Sequence, residues 1–118
     1  MRIRDRTLFI QGLNREITFH IGQHKSDNFD VIDLGNPDDL WFHVLTESSC
    51  HVVAIIPENI NKKDRRYIIK VGAHLCKKYT SKLNRANDVE IVFTEIKNVE
   101  KTECVGCVKI KSGKTIIV

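Results

Sequence analysis

The sequence predicts an α+β domain in which one long helix and one short helix pack against a mostly antiparallel sheet of about six to seven strands. Three observations lead to this prediction. Short segments of alternating apolar and polar residues occur near both ends of the chain and in its middle. A single long segment of helical period precedes the last strands. The chain has 118 residues, so we expect one domain over residues 1–118.

The first two strands are expected at residues 6–11 and 15–21, on either side of a turn at residues 12–14. At the N-terminus every second residue is an arginine, and in an extended chain such residues point to the same side: Arg2, Arg4 and Arg6. They form either a basic patch or a frayed basic terminus.

A short helix is expected next. Phe29, Ile32 and Leu34 would provide its apolar side, and Ser26 or Asp27 would cap its first turn. The Gly-Asn-Pro sequence that follows Leu34 ends this helix, because proline cannot continue it.

Residues 40–45 and 51–56 are expected to form a second hairpin with a tight turn near Glu47. One face of its first strand is apolar and is expected to lie under the long helix: Leu40, Phe42 and Val44. The other face has a different character: Asp39, Trp41 and His43. The turn position places His51 opposite His43 on the second strand. We expect the indole and the two imidazoles to form a semi-exposed platform.

The long helix is expected at residues 61–79, with Asn61 as its cap and Asp64 at the third helical position. Its apolar stripe repeats every three to four residues: Ile68, Val71, Gly72, Leu75, Cys76 and Tyr79. Cationic and histidine side chains occupy roughly the opposite side: Arg66, Lys70, His74, Lys77 and Lys78.

The C-terminal part is predicted to return to β structure. A strand is expected at residues 90–96, and strands at residues 105–111 and 114–118 are expected to form a hairpin across Ser112 and Gly113.

Charge is unevenly distributed along the chain, although the net charge is only +4. Residues 27–47 contain six acidic residues and no lysine or arginine, whereas residues 61–86 contain nine basic residues and one acidic residue. A positive surface of this kind suits a partner that bears phosphates, and two solvated faces of opposite sign are the simpler interpretation.

No apolar run approaches the roughly 20 residues of a membrane-spanning helix, and charged residues interrupt the N-terminus where a secretory signal would need an apolar core. We therefore expect the protein in the cytoplasm or the nucleus. Its cysteines are expected to be reduced thiols there: Cys50, Cys76, Cys104 and Cys107.

Four interpretations compete for the Trp-His platform. A metal site would need a third or fourth ligand beyond the histidines and Asp39. A small hydrolase would pair a histidine with Ser48, Ser49 or Cys50 as nucleophile, but no recognisable nucleophile motif surrounds them. The platform could be structural, or it could recognise a ligand by stacking and hydrogen bonding.

Cys104 and Cys107 form one CxxC motif, which is half of a zinc ribbon. No second pair exists in the sequence, so we interpret the motif as a coincidence within a strand, with Gly106 at a bend. Neither a metal ion nor another cofactor is predicted.

Residues 22–53 (GQHKSDNFDVIDLGNPDDLWFHVLTESSCHVV) resemble the NFACT-R domain, the RNA-binding module of NFACT-type ribosome quality-control proteins. The motif residues are Gly22, Lys25, Asn28, Asp39, Trp41, Phe42, His43, Ser49 and His51. The C-terminal GCVKIKSGKTIIV resembles the closing strands of that family at Gly106, Val108, Lys114 and Thr115. The resemblance extends over residues 17–118.

This resemblance implies an α+β module that binds RNA without catalysis, with tRNA or rRNA as the expected partner in translation and ribosome quality control. DNA is a further candidate. The predicted pocket consists of Trp41 as a stacking surface together with Asn28, His43 and His51. Lys25, Asp39 and Ser49 are further predicted nucleic-acid-binding residues. The predicted phosphate contacts are Lys62, Lys63, Arg66, Lys70, Lys77, Lys109, Lys111 and Lys114. The rival functions are an adaptor for ribosome-associated proteins, bound through the acidic residues 27–47, and a histidine-dependent hydrolase or metalloprotein.

Overall fold

The computed structural model describes residues 3–118, so the predicted role of Arg2 lies outside it. Its strands and α-helices, in chain order, are β1 (Arg4–Ile10), β2 (Arg15–Gly22), α1 (Lys25–Asp33), β3 (Leu40–Val44), β4 (His51–Ala54), α2 (Lys62–Lys78), β5 (Glu90–Glu95), β6 (Val99–Lys101), β7 (Val108–Ile110) and β8 (Lys114–Ile117). The α+β class is confirmed. Over the described residues, no helix is long and apolar enough to cross a membrane.

The main sheet has six strands in the order β1-β2-β4-β3-β5-β8, and all neighbouring strands in it are antiparallel. Helix α2 packs on one face of this sheet. Helix α1 packs on the opposite face, where the two-stranded sheet β6-β7 also contributes apolar side chains. The sheet is therefore covered on both sides.

Helix α2 begins as the sequence predicts. Asn61 lies in extended backbone, and its side-chain oxygen accepts a hydrogen bond of 2.8 Å from the backbone N–H of Asp64. This contact satisfies one of the free donors of the first turn. The apolar side of the helix packs on Leu40 and Phe42 in the larger core cluster.

Gly72 lies on the side of α2 that faces the sheet, directly over Phe42 of β3. A Cβ atom added there would overlap the ring of Phe42, which is fully buried and has no free space to move into. The glycine therefore allows the helix to approach β3 closely.

We expect the Gly72→Ala substitution to lower the free energy of unfolding by about 1 kcal/mol, because overpacking costs more than the gain in helix propensity. Urea unfolding followed by circular dichroism measures this difference. The same substitution in a Phe42→Leu background should become neutral or stabilising. Destabilisation of equal size in both backgrounds would show that the ring is not the cause.

The second face of the sheet has its own core. Trp41, Val53 and Val92 project from the sheet and pack against Val31 and Ile32 of α1. Residues 96, 99 and 108, near and within the β6-β7 sheet, extend this cluster. Three residues were predicted to form the apolar side of α1. Of these, Ile32 is buried, Phe29 is half-buried and Leu34 is exposed.

The predicted C-terminal hairpin across Ser112 and Gly113 is wrong. Strand β7 pairs with β6, and β8 instead joins the edge of the main sheet beside β5. Val108 belongs to the core on the α1 side, whereas Ile116 packs on the α2 side. These two apolar residues are half-buried on opposite faces of the main sheet. Their packing separates two strands that are neighbours in sequence.

Candidate functional site

A cavity of about 430 Å³, which we call the end cavity, lies where β2 and β3 end and β4 begins. Four separate segments form it: the β2-α1 turn, the β3-β4 loop, the C-terminus of α2 and the β6-β7 loop. Five of the predicted nucleic-acid-binding residues line it: Lys25, Asn28, His43, Ser49 and His51. Trp41 and Asp39 are not among its lining residues.

Trp41, His43 and His51 are in mutual contact beside this cavity. The strand register, with Phe42 opposite Val52, places His43 opposite His51, and their ring centroids are 4.8 Å apart with the planes nearly perpendicular. The rings of Trp41 and His43 are stacked at 5.6 Å, with 5° between their planes. The predicted pairing of the two histidines is confirmed.

The predicted semi-exposed platform is wrong for two of its three rings. Trp41 is 2% exposed and His51 is 1% exposed, whereas His43 is half-buried. Helix α1 and the β6-β7 sheet cover this face, so a base has no access to the indole. His43 is the ring of the three that remains available to a ligand.

The hydrogen bond between Trp41 and His51 determines which nitrogen of the neutral His51 imidazole carries the proton. The indole Nε1–H donates to Nδ1 of His51 at 3.1 Å. Because an indole N–H only donates, Nδ1 carries a lone pair, and neutral His51 bears its proton on Nε2.

Burial is the main reason that both histidines are neutral at pH 7. It lowers the pKa of His51 to about 3, and the electrostatic influence of His43 adds to this effect. Burial also lowers the pKa of His43, although a hydrogen bond with the backbone of Val44 opposes the change. His43 therefore offers hydrogen bonds to a ligand, without a positive charge.

Two of the predicted nucleic-acid-binding residues support the backbone, Asn28 and Ser49. The hydroxyl of Ser49 accepts from the N–H of Val44 at 3.0 Å and donates to the carbonyl of Cys50 at 2.9 Å. Asn28, with its amide nitrogen turned towards the acceptors, donates to the carbonyls of Gly22 and His24. Both residues hold the loops that line the cavity.

Asp39 lies at the opposite end of β3 from His43 and is buried. Its carboxylate accepts hydrogen bonds from the backbone N–H groups of Asn36 and Ile56, at 2.7 and 2.8 Å. The structure therefore places Asp39 away from the histidines, where it fixes the chain segments around β3 and β4.

Helix α1 begins beside the end cavity without a side-chain cap. Its N-cap is His24, so the predicted caps Ser26 and Asp27 are wrong: they lie within the first turn. Over the described residues, the backbone N–H groups of Lys25 and Ser26 have no acceptor. Free N–H groups at a helix N-terminus favour anions, and the exposed side chain of Lys25 adds a positive charge there.

Tyr79 lines the cavity at the end of α2 and gathers basic side chains that the sequence did not assign to a site. Arg6 donates a hydrogen bond to its hydroxyl, Arg4 lies 5.3 Å from its ring centroid and Lys78 lies 5.7 Å from it. Burial acts to raise the pKa of Tyr79, but the hydrogen bonds from Arg6 and Arg4 outweigh it and lower the pKa. The sequence does contain one indication of this cluster: Arg4 and Arg6 are two residues apart, so in a strand they point to the same side.

The CxxC motif lies in the β6-β7 loop, and its placement in a strand is wrong. The sulfur atoms of Cys104 and Cys107 are in contact, so the pair is placed where a disulfide could form. The expectation of reduced thiols stays a prediction for this pair. Gly106 has a φ of 79°, in agreement with the predicted bend, and a Cβ there would lie 2.9 Å from the carbonyl oxygen of Lys25. The loop thus packs against the start of α1 and closes one side of the cavity.

Cys50 and Thr80 line the end cavity, and both contact Cys76 of α2. Both thiols are free and buried, with their sulfur atoms 3.9 Å apart. The hydroxyl of Thr80 donates to the carbonyl of Cys76 and accepts from the N–H of Cys50. This network attaches the end of α2 to the β3-β4 loop.

The catalytic and metal-binding interpretations find little support in this geometry. Over residues 3–118, no serine or cysteine is hydrogen-bonded to His43 or His51, and Nδ1 of His51 is occupied by the indole. The same part of the chain contains no group of three or more potential ligands placed to hold a metal ion.

The sequence profile described as "NFACT protein RNA binding domain" matches residues 8–117. The chain belongs to this family.

The curated relatives of this NFACT RNA-binding domain include coiled-coil domain-containing protein 25 of Mus musculus, which is 34% identical over 86 residues, covering 72% of this chain and 41% of the relative. The homologue of that protein in Dictyostelium discoideum is 30% identical over 96 residues, covering 80% and 47%. The chain thus matches less than half the length of these relatives. A solved structure of the C-terminal part of the fibronectin/fibrinogen-binding protein from Streptococcus suis has the same fold, with a TM-score of 0.78 and 21% identity over 97% of this chain and 44% of that one.

None of the remaining predicted cations of the NFACT RNA-binding domain lines the end cavity. Most line the N-terminal half of α2 or the C-terminal strands: Lys62, Lys63, Arg66, Lys70, Lys109, Lys111 and Lys114. With a rise of about 1.5 Å per residue, the first and last lysines of α2 are about 24 Å apart. Lys77 is half-buried in the last turn, nearer to the cavity. The cations in the N-terminal half of α2 therefore form a surface separate from the end cavity.

Proposed function

We propose that this domain binds RNA through the end cavity and the cations around it, without catalysing a reaction. The convergence of Lys25, Asn28, His43, Ser49 and His51 from distant parts of the chain supports this most directly. The family to which the chain belongs is described as RNA-binding. We further propose tRNA or rRNA as the ligand and the cytoplasm as the place of action, in translation and ribosome quality control.

Phosphate contacts are assigned to four exposed cations around the cavity: Arg4, Lys25, Lys78 and Lys82. Lys25 acts together with the free N–H groups of the first turn of α1. Arg4 and Lys78 both lie close to the centroid of the Tyr79 ring, at 5.3 and 5.7 Å. Lys82 is held by a salt bridge of 3.1 Å to Glu47. Such contacts position the strand without reading its sequence.

Base recognition is assigned to His43. Its ring is backed by Trp41 and held edge-on by His51, so it presents a fixed planar group to the cavity. The volume of about 430 Å³ falls within the range of ordinary small-ligand pockets and suits one extruded nucleotide. RNA is typically recognised through such unstacked bases.

Fluorescence anisotropy with a labelled 12-nucleotide oligouridylate tests the proposal. If about four phosphates are contacted, affinity should fall about fiftyfold between 50 and 200 mM salt. The Lys25→Glu substitution should weaken binding about tenfold, because it replaces attraction by repulsion at one contact. Duplex RNA and single-stranded DNA of the same length serve as comparison ligands.

Lys62→Glu is the matched control, because it changes the net charge equally at the far end of α2. We expect it to weaken binding by less than about twofold. Equal losses of affinity for Lys25→Glu and Lys62→Glu would show that RNA also contacts the N-terminal part of α2. An affinity that does not change with salt concentration would contradict the proposal as a whole.

A further inference from the structure

A second concave surface, the edge groove, lies between α2 and the last strand of the main sheet. It consists of two adjoining cavities of about 520 and 440 Å³ that share Arg66, Ile69 and Phe93. Ile116 of β8 lines the first cavity and Lys114 lines the second. Helix α2 does not extend over β8, so this part of the sheet face is left open beside the helix.

The outer edge of β8 is free to pair with another strand. Val89 and Val118 exchange two hydrogen bonds of 2.9 Å, and bonded pairs alternate along an antiparallel ladder. The backbone groups of Thr115 and Ile117 therefore point away from β5. Over the described residues, no strand pairs with this edge.

The two edges of the sheet differ in their protection. Strand β1 has charged residues at three successive positions, Arg4, Asp5 and Arg6, and such charges discourage pairing with other chains. Strand β8 has only Lys114, and Ile117 is 60% exposed on it. An added strand would cover this isoleucine.

The edge groove has a positive rim. Four exposed cations surround it: Lys63, Arg66, Lys70 and Lys114. Over residues 3–118, none of the four is in a salt bridge. Glu95 is the only carboxylate among the described residues that line the two cavities, and it lies 3.5 Å from the ammonium group of Lys97.

We propose that the edge groove binds an extended acidic segment of a partner protein, which adds a strand to β8. Main-chain hydrogen bonds to Thr115 and Ile117 would align it, as in other cases of strand addition. Its acidic side chains would lie on the α2 side, where their methylene groups contact the apolar floor at Phe93 and Ile116 and their carboxylates meet the four rim cations. Its aliphatic side chains would lie on the other side of the sheet and cover Ile117.

This surface favours a peptide over RNA. Ile69, Phe93 and Ile116 form an apolar floor, and a free strand edge offers alternating donors and acceptors at the spacing of another strand. The phosphates of RNA would meet the rim cations but would use neither feature. The proposal does not depend on RNA binding at the end cavity, so each can fail alone.

The probe is a fluorescein-labelled ten-residue peptide of alternating valine and glutamate, capped at both ends, compared with one of alternating valine and lysine. We expect the acidic peptide to bind and the basic one not to bind. In ¹H–¹⁵N spectra the acidic peptide should shift the amides of Thr115 and Ile117. Failure to bind, or shifts confined to the end cavity, would overturn the proposal.

Thr115→Pro removes an outward N–H that β5 does not use, so it should weaken peptide binding about tenfold while preserving the sheet. Thr115→Val keeps the N–H group and is the matched control, which should bind as the wild type does. Should the proline variant unfold, the exposed Lys70→Glu substitution gives an independent test, with an expected loss of about tenfold.

Two further outcomes would assign the edge groove to another occupant. If oligouridylate shifts the same amides and competes with the peptide, the surface belongs to nucleic acid. If the protein forms a dimer in sedimentation experiments and Thr115→Pro abolishes it, the occupant of the β8 edge is a second copy of the chain. Either result would overturn the assignment to an acidic partner segment.

Discussion

Replacing Trp41 with alanine is expected to lower the free energy of unfolding by about 3–5 kcal/mol. The indole is 2% exposed and forms the centre of the core between the sheet and α1. Its removal would leave a cavity and would also leave Nδ1 of His51 without its donor. Urea unfolding followed by far-UV circular dichroism gives the free energy directly.

Trp41→Phe is the control that separates packing from hydrogen bonding. It keeps an aromatic ring in the core but removes the donor to His51, so we expect a loss of about 1–3 kcal/mol from the unpaired acceptor and the smaller ring. A loss below about 1 kcal/mol for Trp41→Ala would show that the indole is not part of a packed core. That result would instead favour an exposed indole that serves as a stacking surface for a base.

Lowering the pH from 7 to 5 is expected to cost about 2 kcal/mol of stability through His51. The pKa of this imidazole is about 3 in the folded protein, because burial and the neighbouring His43 disfavour its charged form. In the unfolded chain the pKa is about 6.5. Between these values the unfolded state binds more protons than the folded state, so stability falls as the pH falls. The loss begins near pH 6.5 and continues towards pH 3.

The His51→Gln variant should reduce this dependence, because a glutamine oxygen can accept from the Trp41 indole without titrating. His43 has a lowered pKa as well and should leave a residual slope in the variant. The measurement compares free energies of unfolding at pH 7, 6 and 5 for both proteins. Identical slopes would mean that His51 is solvated and protonates normally.

Local patterns were sufficient for much of the fold. The cap at Asn61, the apolar stripe of α2 and the pairing of His43 with His51 all depend on residues close together in the sequence or joined by one short loop. The spacing of Arg4 and Arg6 likewise predicted a common side, and both side chains meet Tyr79. The strand register therefore predicted that His43 and His51 lie side by side in the β3-β4 hairpin.

Other features of the site depend on segments that are far apart in the sequence. Residues near the start of α1 and in the CxxC loop complete the end cavity, and their contact at Lys25 and Gly106 joins positions about 80 residues apart in a chain of 118 residues. No periodicity in either segment indicates this contact. The same holds for Tyr79, which the sequence assigned to the apolar stripe alone.

The alternation of residues 40–45 established which side chains share a face of β3, because side-chain direction in a strand has a period of two. It could not establish what covers each face. Whether Trp41 meets solvent or α1, and whether β8 pairs with β7 or β5, depends on which apolar surfaces pack together across the whole chain. Burial is a property of that long-range packing, and so the accessible group of the site is His43 and not the indole.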